Sequence, residues 1–243
     1  MLQMLKVYLK KFMIATLAPH MRSPSGITGW FARKIMRSAN PYSTKHAIQN
    51  RMNLKSSDVF VELGAGEGAG LLAILEDDYQ KIPSQIHLVE ISESMRGELE
   101  RVIREDLPPS AEKTDIRVYG EDCRSMHYLQ DNSVDKIFAM NVVYFLDPLP
   151  EYLNEIHRVL RPQTGEIVWG CKFDKVPKDN EIFANVEEEK VVKMMEDAGF
   201  HVTSEKINMV PDQECPADST GENNVDLSSD TMRNFIEVRG RKK

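Results

Sequence analysis

One stretch constrains the fold of this chain more than any other: Val59-Phe60-Val61-Glu62-Leu63-Gly64-Ala65-Gly66-Glu67-Gly68-Ala69-Gly70. β-favouring residues run into an acid, four glycines fall at alternate positions, and an apolar helix-forming run follows from Leu71 to Leu75. That order reads as a strand, a glycine turn and a helix start, which together present backbone N–H groups to a ligand. Glycine suits the turn because it accepts φ > 0 and lets a ligand lie against the backbone. Close packing of a helix on a strand also needs glycine. The rest of the chain therefore has to separate a ligand cradle from a packing turn.

Downstream, strands and helices alternate. Ile86 to Glu90 reads as a second strand, Ile116 to Tyr119 as a third, Val134 to Met140 as a fourth and Glu166 to Phe173 as a fifth. Between them lie helical patterns with Met95, Leu99, Val102 and Ile103 on one face, and with Leu153, Ile156 and Leu160 on another. Ser92 is placed to cap the first of these, and Gly199 to end a later helix over Glu187–Ala198. Two further strand-like runs, Val202–Val210 and Asn234–Arg239, are joined without a helix and predict an antiparallel hairpin at one edge. The whole predicts an α/β domain built on a doubly wound, mostly parallel seven-stranded sheet with helices on both faces.

Charge divides the chain. Residues 1–57 hold ten Lys or Arg and no acid, whereas the rest carries 21 basic and 38 acidic side chains. We expect residues 1–57 to form a basic helical extension or cap and residues 58–243 to form the main domain. Within 1–17, Leu2, Leu5, Leu9, Phe12 and Met13 share a helical face with lysines elsewhere. That pattern fits a helix packed on the domain, a peripheral membrane contact or a mitochondrial transit segment. Residues 211–230 are acidic and poor in large apolar side chains, as expected of a mobile loop. The three cysteines share no metal-ligand spacing and no disulfide framework, so a reducing, cytoplasmic setting without a metal is the expectation. No apolar run reaches the roughly 18–20 residues of a membrane span. The basic stretch lacks a recognition motif and the remainder repels phosphate, which disfavours nucleic acid.

In open α/β sheets ligands sit beyond the carboxyl ends of the strands. Gly64, Ala65, Gly66 and Gly68 follow strand one, and Glu90 ends strand two, 22 residues after Gly68. A carboxylate there is spaced to accept both hydroxyls of a ribose. Asp122, after strand three, is placed to accept from an exocyclic amine or to cap a helix, while Ile91 and Cys123 supply apolar walls for a base. Asn141 and Tyr144 follow strand four, and His127 lies after strand three as a candidate base.

Taken together, these stretches resemble the class I S-adenosylmethionine-dependent methyltransferases of the compact, small-molecule type. The resemblance rests on Val61 to Gly68, Leu88-Val89-Glu90, Gly120-Glu121-Asp122, Asp131 to Asp135 and Arg158 to Pro162. It covers about residues 58–200 and a last strand at Val238 to Lys242. It implies a Rossmann-like fold and S-adenosylmethionine as cofactor. Glu62 and the glycine turn would hold the methionine part, with Asn141 nearby; Glu90 would hold the ribose, and Asp122, Ile91 and Cys123 the adenine. Gln163-Thr164-Gly165 departs from the glycine pair usual in the family.

The implied reaction is an in-line displacement of a methyl group from cationic sulfur onto a small-molecule acceptor. Its leaving group is neutral, so alignment of the reactants can carry most of the acceleration. Catalytic residues are correspondingly hard to name; Asn141, Tyr144 and His127 are the candidates. Gly64-x-Gly66-x-x-Ala69 with Glu90 also satisfies the dinucleotide fingerprint, so an NAD(P)-dependent oxidoreductase is the alternative. A third reading is a non-catalytic binding module attached to membrane through the N-terminus.

Overall fold

The computed structural model of the 243-residue chain describes residues 40–76, 81–176, 178, 182–209 and 234–243. The expectations for residues 1–17 and for the acidic segment 211–230 lie outside the described residues. A first helix, α1 (Pro41–His46), continues directly into a π-helical turn over Ala47–Arg51. Then come β1 (Val59–Leu63), α2 (Ala69–Leu75), β2 (Gln85–Val89), α3 (Glu93–Glu105), β3 (Asp115–Tyr119) and β4 (Lys136–Met140). The chain ends with α4 (Leu149–Val159), β5 (Glu166–Cys171), α5 (Glu188–Asp197), β6 (Phe200–Ile207) and β7 (Phe235–Lys242).

The seven strands form one sheet in the order β3-β2-β1-β4-β5-β7-β6. β1 to β5 are parallel, and β7 runs antiparallel to both β5 and β6. The chain order reverses between β1 and β4, so the crevice that binds ligands in such sheets opens there. Alternation along the strands builds two cores. Phe60, Ile86, Leu88, Phe138 and Val168 face α1, its π-turn and α2, where Ile48, Met52 and Leu71 are buried. Val61, Leu63, Ile137, Ile167 and Trp169 face α4 and α5, where Leu153, Ile156, Val191 and Met195 are buried. Helices thus cover both faces, as the alternating pattern predicts.

Three local expectations need correction. Val134 is not part of β4 but makes a lone bridge to Leu160. Ser92 occupies the N-cap of α3 without a side-chain cap bond; its N–H is drawn instead to the Glu90 carboxylate. The last two runs begin and end later or earlier than the apolar pattern suggests, because β7 is held on both sides from Phe235 to Lys242. Gly199 follows α5 at φ +92, the left-handed stop expected of it.

The Gln163 departure also has a backbone consequence. Gln163 adopts φ +63, a conformation that a glycine enters without penalty. Relief of a left-handed non-glycine residue is worth roughly 1–2 kcal/mol, offset by about 0.4–1 kcal/mol of added freedom in the unfolded chain. Gln163→Gly is therefore expected to stabilise the protein by about 0.5–1 kcal/mol in urea unfolding.

Candidate functional site

The glycine turn is tied to the end of β2. Gly64 and Ala65 both donate N–H bonds to Val89 O, at 2.8 and 3.1 Å. Gly66 donates to Glu90 Oε2 at 2.8 Å. Gly64, Gly66 and Gly68 have φ of +68, +57 and +96, so every second residue of the turn is left-handed. A Cβ on Gly64 would come within 2.5 Å of a Val142 methyl, which packs the turn against the residues after β4. A Cβ on Gly66 would meet nothing within 4 Å. Gly66 is thus the point at which the turn borders open space.

Two carboxylates sit under this turn. Glu62, on β1, is 4% exposed, and one carboxylate oxygen, Oε2, has no hydrogen-bond partner. Its carboxylate lies so close to the first turn of α2 that a Cβ on Gly70 would meet Oε1 at 2.2 Å. Burial, reinforced by the charge of Glu90, pushes the Glu62 carboxyl up to about 8. Glu90 is 5% exposed and differs in being pinned. Its Oε2 accepts from Gly66 N–H and its Oε1 from Ser92 N–H at 2.7 Å. Burial raises its pKa, opposed by those two bonds and by Arg96. The Arg96 guanidinium also donates to the Glu90 carbonyl at 3.0 Å. Each Glu90 oxygen keeps acceptor capacity beyond its backbone bond.

At the end of β3, Asp122 is engaged in its own turn. Its Oδ1 accepts from Arg124 N–H at 2.9 Å and its Oδ2 from the Tyr152 hydroxyl at 3.1 Å. Cys123 is buried, and burial pushes its thiol up to about 12, so it contributes an apolar wall and no thiolate. Ile91, by contrast, is a large apolar side chain left 43% exposed directly after Glu90.

Asn141 follows β4 in a left-handed conformation, φ +58. Its Nδ2 donates to Asn40 Oδ1 at 3.0 Å, while its own Oδ1 is buried without a partner. Tyr144, a candidate for orienting a substrate, is placed in the core instead. It is 2% exposed, has edge contacts with Phe145, Phe173 and Phe183, and accepts the Lys172 N–H through its hydroxyl. His127 lies at the surface with Nδ1 3.6 Å from a Glu121 oxygen. Sequence reasoning missed Asn40 and Lys172, which the fold brings to Asn141 from 101 residues before it and 31 residues after it. Asn40 stood out only as half of the Asn40-Pro41 turn pair, and Lys172 only by its place near a strand end. Among the described residues no group of three His, Cys, Asp or Glu side chains is arranged to hold a metal ion, and no helix is long and apolar enough to cross a membrane.

A glycine cradle at the reversal point of the sheet, an acid at the end of β2 and a buried acid at the end of β1 define a Rossmann-like cofactor-binding domain. Residues 61–167 match the family model of the methyltransferase domain. No curated protein sequence matches the chain. Among solved structures, a Haloferax volcanii complex of the Trm112 methyltransferase activator with a chain assigned as a methyltransferase is similar at 20% identity and TM-score 0.62. That match covers 87% of this chain and 94% of the other. An S-adenosylmethionine-dependent methyltransferase from Aquifex aeolicus is similar at 18% identity and TM-score 0.57, covering 85% and 96%. Haemonchus contortus phosphoethanolamine N-methyltransferase 2, with phosphomonomethylethanolamine and S-adenosylhomocysteine, is similar at 16% identity and TM-score 0.60, covering 87% of this chain and 57% of that one. Over residues 61–167 the chain is similar to the methyltransferase domain family, whose cofactor is S-adenosylmethionine, and its sheet has the fold of these solved structures.

The residues present fit that cofactor. The Glu62 oxygen lacks a donor, and the cofactor carries an ammonium that would supply one. The open side of Gly66 leaves room for a ligand against the backbone. Glu90 retains acceptor capacity for hydroxyls. The dinucleotide alternative gives no comparable use for a second buried carboxylate at Glu62.

Proposed function

We propose that the chain transfers the methyl group of S-adenosylmethionine to a small-molecule acceptor. The observation that carries this reading is the unpartnered, buried Glu62 oxygen beneath an open glycine turn. The cofactor supplies an electrophilic methyl on cationic sulfur. The protein's part is to hold and align: the turn and Glu90 fix one end, Glu62 offers a negative oxygen to the cationic end, and Asn141 borders the space over β4. Alignment of two bound reactants can supply roughly 7–11 kcal/mol at its limit, so no nucleophile or strong base is required. The Haemonchus enzyme, whose complex holds a small phosphorylated acceptor, supports a small molecule as the receiving partner.

Ligand-induced stabilisation tests the assignment. S-adenosylhomocysteine should raise the melting temperature, whereas NAD and NADP should not. Gly66→Val and Glu90→Ala are each expected to weaken S-adenosylhomocysteine at least about tenfold, a loss of one charge-assisted contact or more. Glu90→Ala is the sharper probe, because valine at Gly66 meets no protein atom but is strained by the backbone φ of +57. Stabilisation by NAD instead, or unchanged affinity in both variants, overturns the reading.

A further inference from the structure

Glu62 and Glu90 are buried alike, but in the methyl-transfer reading they meet different groups of the cofactor. An ammonium brings its own charge to a buried carboxylate. Hydroxyls bring none, so an acid that receives them has to be kept ionised by the protein.

The surroundings of Glu90 supply what that requires. Three bonds close a ring: Glu90 Oε1 accepts from Ser92 N–H at 2.7 Å, Ser92 O accepts from Arg96 N–H at 2.8 Å, and Arg96 Nη1 donates back to Glu90 O at 3.0 Å. Glu90 N–H is held in turn by Tyr119 O at 2.9 Å, at the end of β3. Arg96 lies in the first turn of α3, so its side chain reaches back over the strand ends. Its guanidinium is a permanent cation. Burial raises the Glu90 carboxyl, while the Ser92 and Gly66 bonds and the Arg96 charge act to lower it. On Glu62 the influences are burial and the Glu90 charge, with no cation among the described residues acting on it.

Gly120 makes the room for this side chain. It directly follows β3, and a Cβ there would fall 2.7 Å from Arg96 Nη1 and 2.8 Å from Arg96 Cζ. Its backbone is not left-handed, so the missing side chain leaves space for the guanidinium and does not serve a turn. An alanine at this position would push the guanidinium off Glu90.

We propose that Arg96 is a positioning residue for the cofactor: seated on Gly120, it fixes Glu90 by its carbonyl and supplies the counter-charge with which the Glu90 carboxylate receives uncharged ribose hydroxyls. Arg96 acts through Glu90. The proposal rests on the methyl-transfer reading and deepens its cofactor half.

Calorimetry with S-adenosylhomocysteine on the full chain tests it. Arg96→Met should weaken binding roughly three- to tenfold, the range of one lost hydrogen bond. Arg96→Lys, which keeps a charge and a donor, should cost less than about twofold. Gly120→Ala should reproduce the methionine loss without altering Arg96, and should add nothing to it when the two are combined. In a Glu90→Ala background, Arg96→Met should cost less than about twofold, because no carboxylate remains to be held. A merely structural role would weaken binding equally in both backgrounds. If Arg96→Met does not fold, Gly120→Ala with and without Glu90→Ala gives the same comparison, since it displaces only the end of a flexible side chain. Equal losses in the two backgrounds, equal losses in the methionine and lysine variants, or unchanged affinity in Arg96→Met and Gly120→Ala overturns the proposal alone. S-adenosylhomocysteine that fails to bind the unaltered protein, or that binds Glu90→Ala as tightly, removes the cofactor reading and this proposal with it.

Discussion

Replacing Glu62 by glutamine is expected to stabilise the cofactor-free protein increasingly as pH rises from 4.5 to about 8, and to weaken its hold on S-adenosylhomocysteine. In the folded chain the Glu62 carboxyl is pushed up to about 8 from the ordinary 4.5, chiefly by burial and further by the charge of Glu90. Below the lower value both folded and unfolded chains carry the proton. Between the two values the unfolded chain releases it and the folded chain keeps it, so stability falls with pH. Above about 8 the loss is complete, with a ceiling on the order of 5 kcal/mol for a shift of this size. Glutamine mimics the protonated acid at every pH, so the difference between the two proteins isolates this group from Glu90 and the histidines. Chemical unfolding across the pH series measures it. A difference that stays flat would mean an ordinary carboxyl.

For ligand binding the sign reverses. An ammonium placed beside Glu62 favours the ionised acid, so binding at neutral pH should release protons. Glutamine cannot form that charge-assisted bond, typically worth about 1.5–3 kcal/mol, which is a loss of at least about tenfold. Calorimetry in buffers of different ionisation enthalpy would detect the proton release in the unaltered protein and its absence in Glu62→Gln. A buried acid serving only to pack against α2 would show neither effect.

The second large effect lies at the opposite end of the sheet. Glu166→Gln should lower stability by about 3–5 kcal/mol, the range for removing one member of a buried charge cluster. Glu166 opens β5 and is 2% exposed; its Oε1 accepts from Lys136 Nζ at 2.5 Å and from Arg239 Nη1 at 2.7 Å. Arg239 also donates to the Arg51 carbonyl, and the Arg51 guanidinium pairs with buried Glu237, so the cluster fastens the π-turn after α1 to β7. Burial raises the Glu166 carboxyl, but Lys136 and Arg239 outweigh it and hold it below its usual range. Its contribution is therefore present above the unfolded value of 4.5 and is lost as pH falls through the lowered folded value. The glutamine variant should lack that part of the acid dependence. A loss below about 1 kcal/mol in urea unfolding would mean that solvent screens the cluster as it does a surface pair.

Much of this architecture is legible in the sequence because it is local. Glycines at 64, 66 and 68 announce left-handed backbone, and all three adopt it. Alternating strand and helix patterns lead to a parallel sheet, and the helix-free connection of the last two runs leads to their antiparallel pairing. The acids at 62 and 90 stand out by their places at strand ends. Side-chain engagement was less readable. Asp122 looks suited to an amine or to a helix cap, yet no helix follows it, and its carboxylate is taken by the Arg124 N–H of a turn and by the Tyr152 hydroxyl. Tyr144 looks as available as His127, yet one is walled by three phenyl rings and the other lies at the surface.

The Asn40–Asn141–Lys172 station could not be read at all, since its members are 101 and 132 residues apart along the chain and share no periodicity. By itself, then, the sequence determined the cradle, the class of cofactor and the order of strand and helix, because backbone conformation and amphipathic period are written in neighbouring residues. Only the tertiary structure decided which polar side chains border the glycine turn and which are spent on internal bonds. Those outcomes depend on which distant strand ends meet, and on the burial that changes a group's charge once they do.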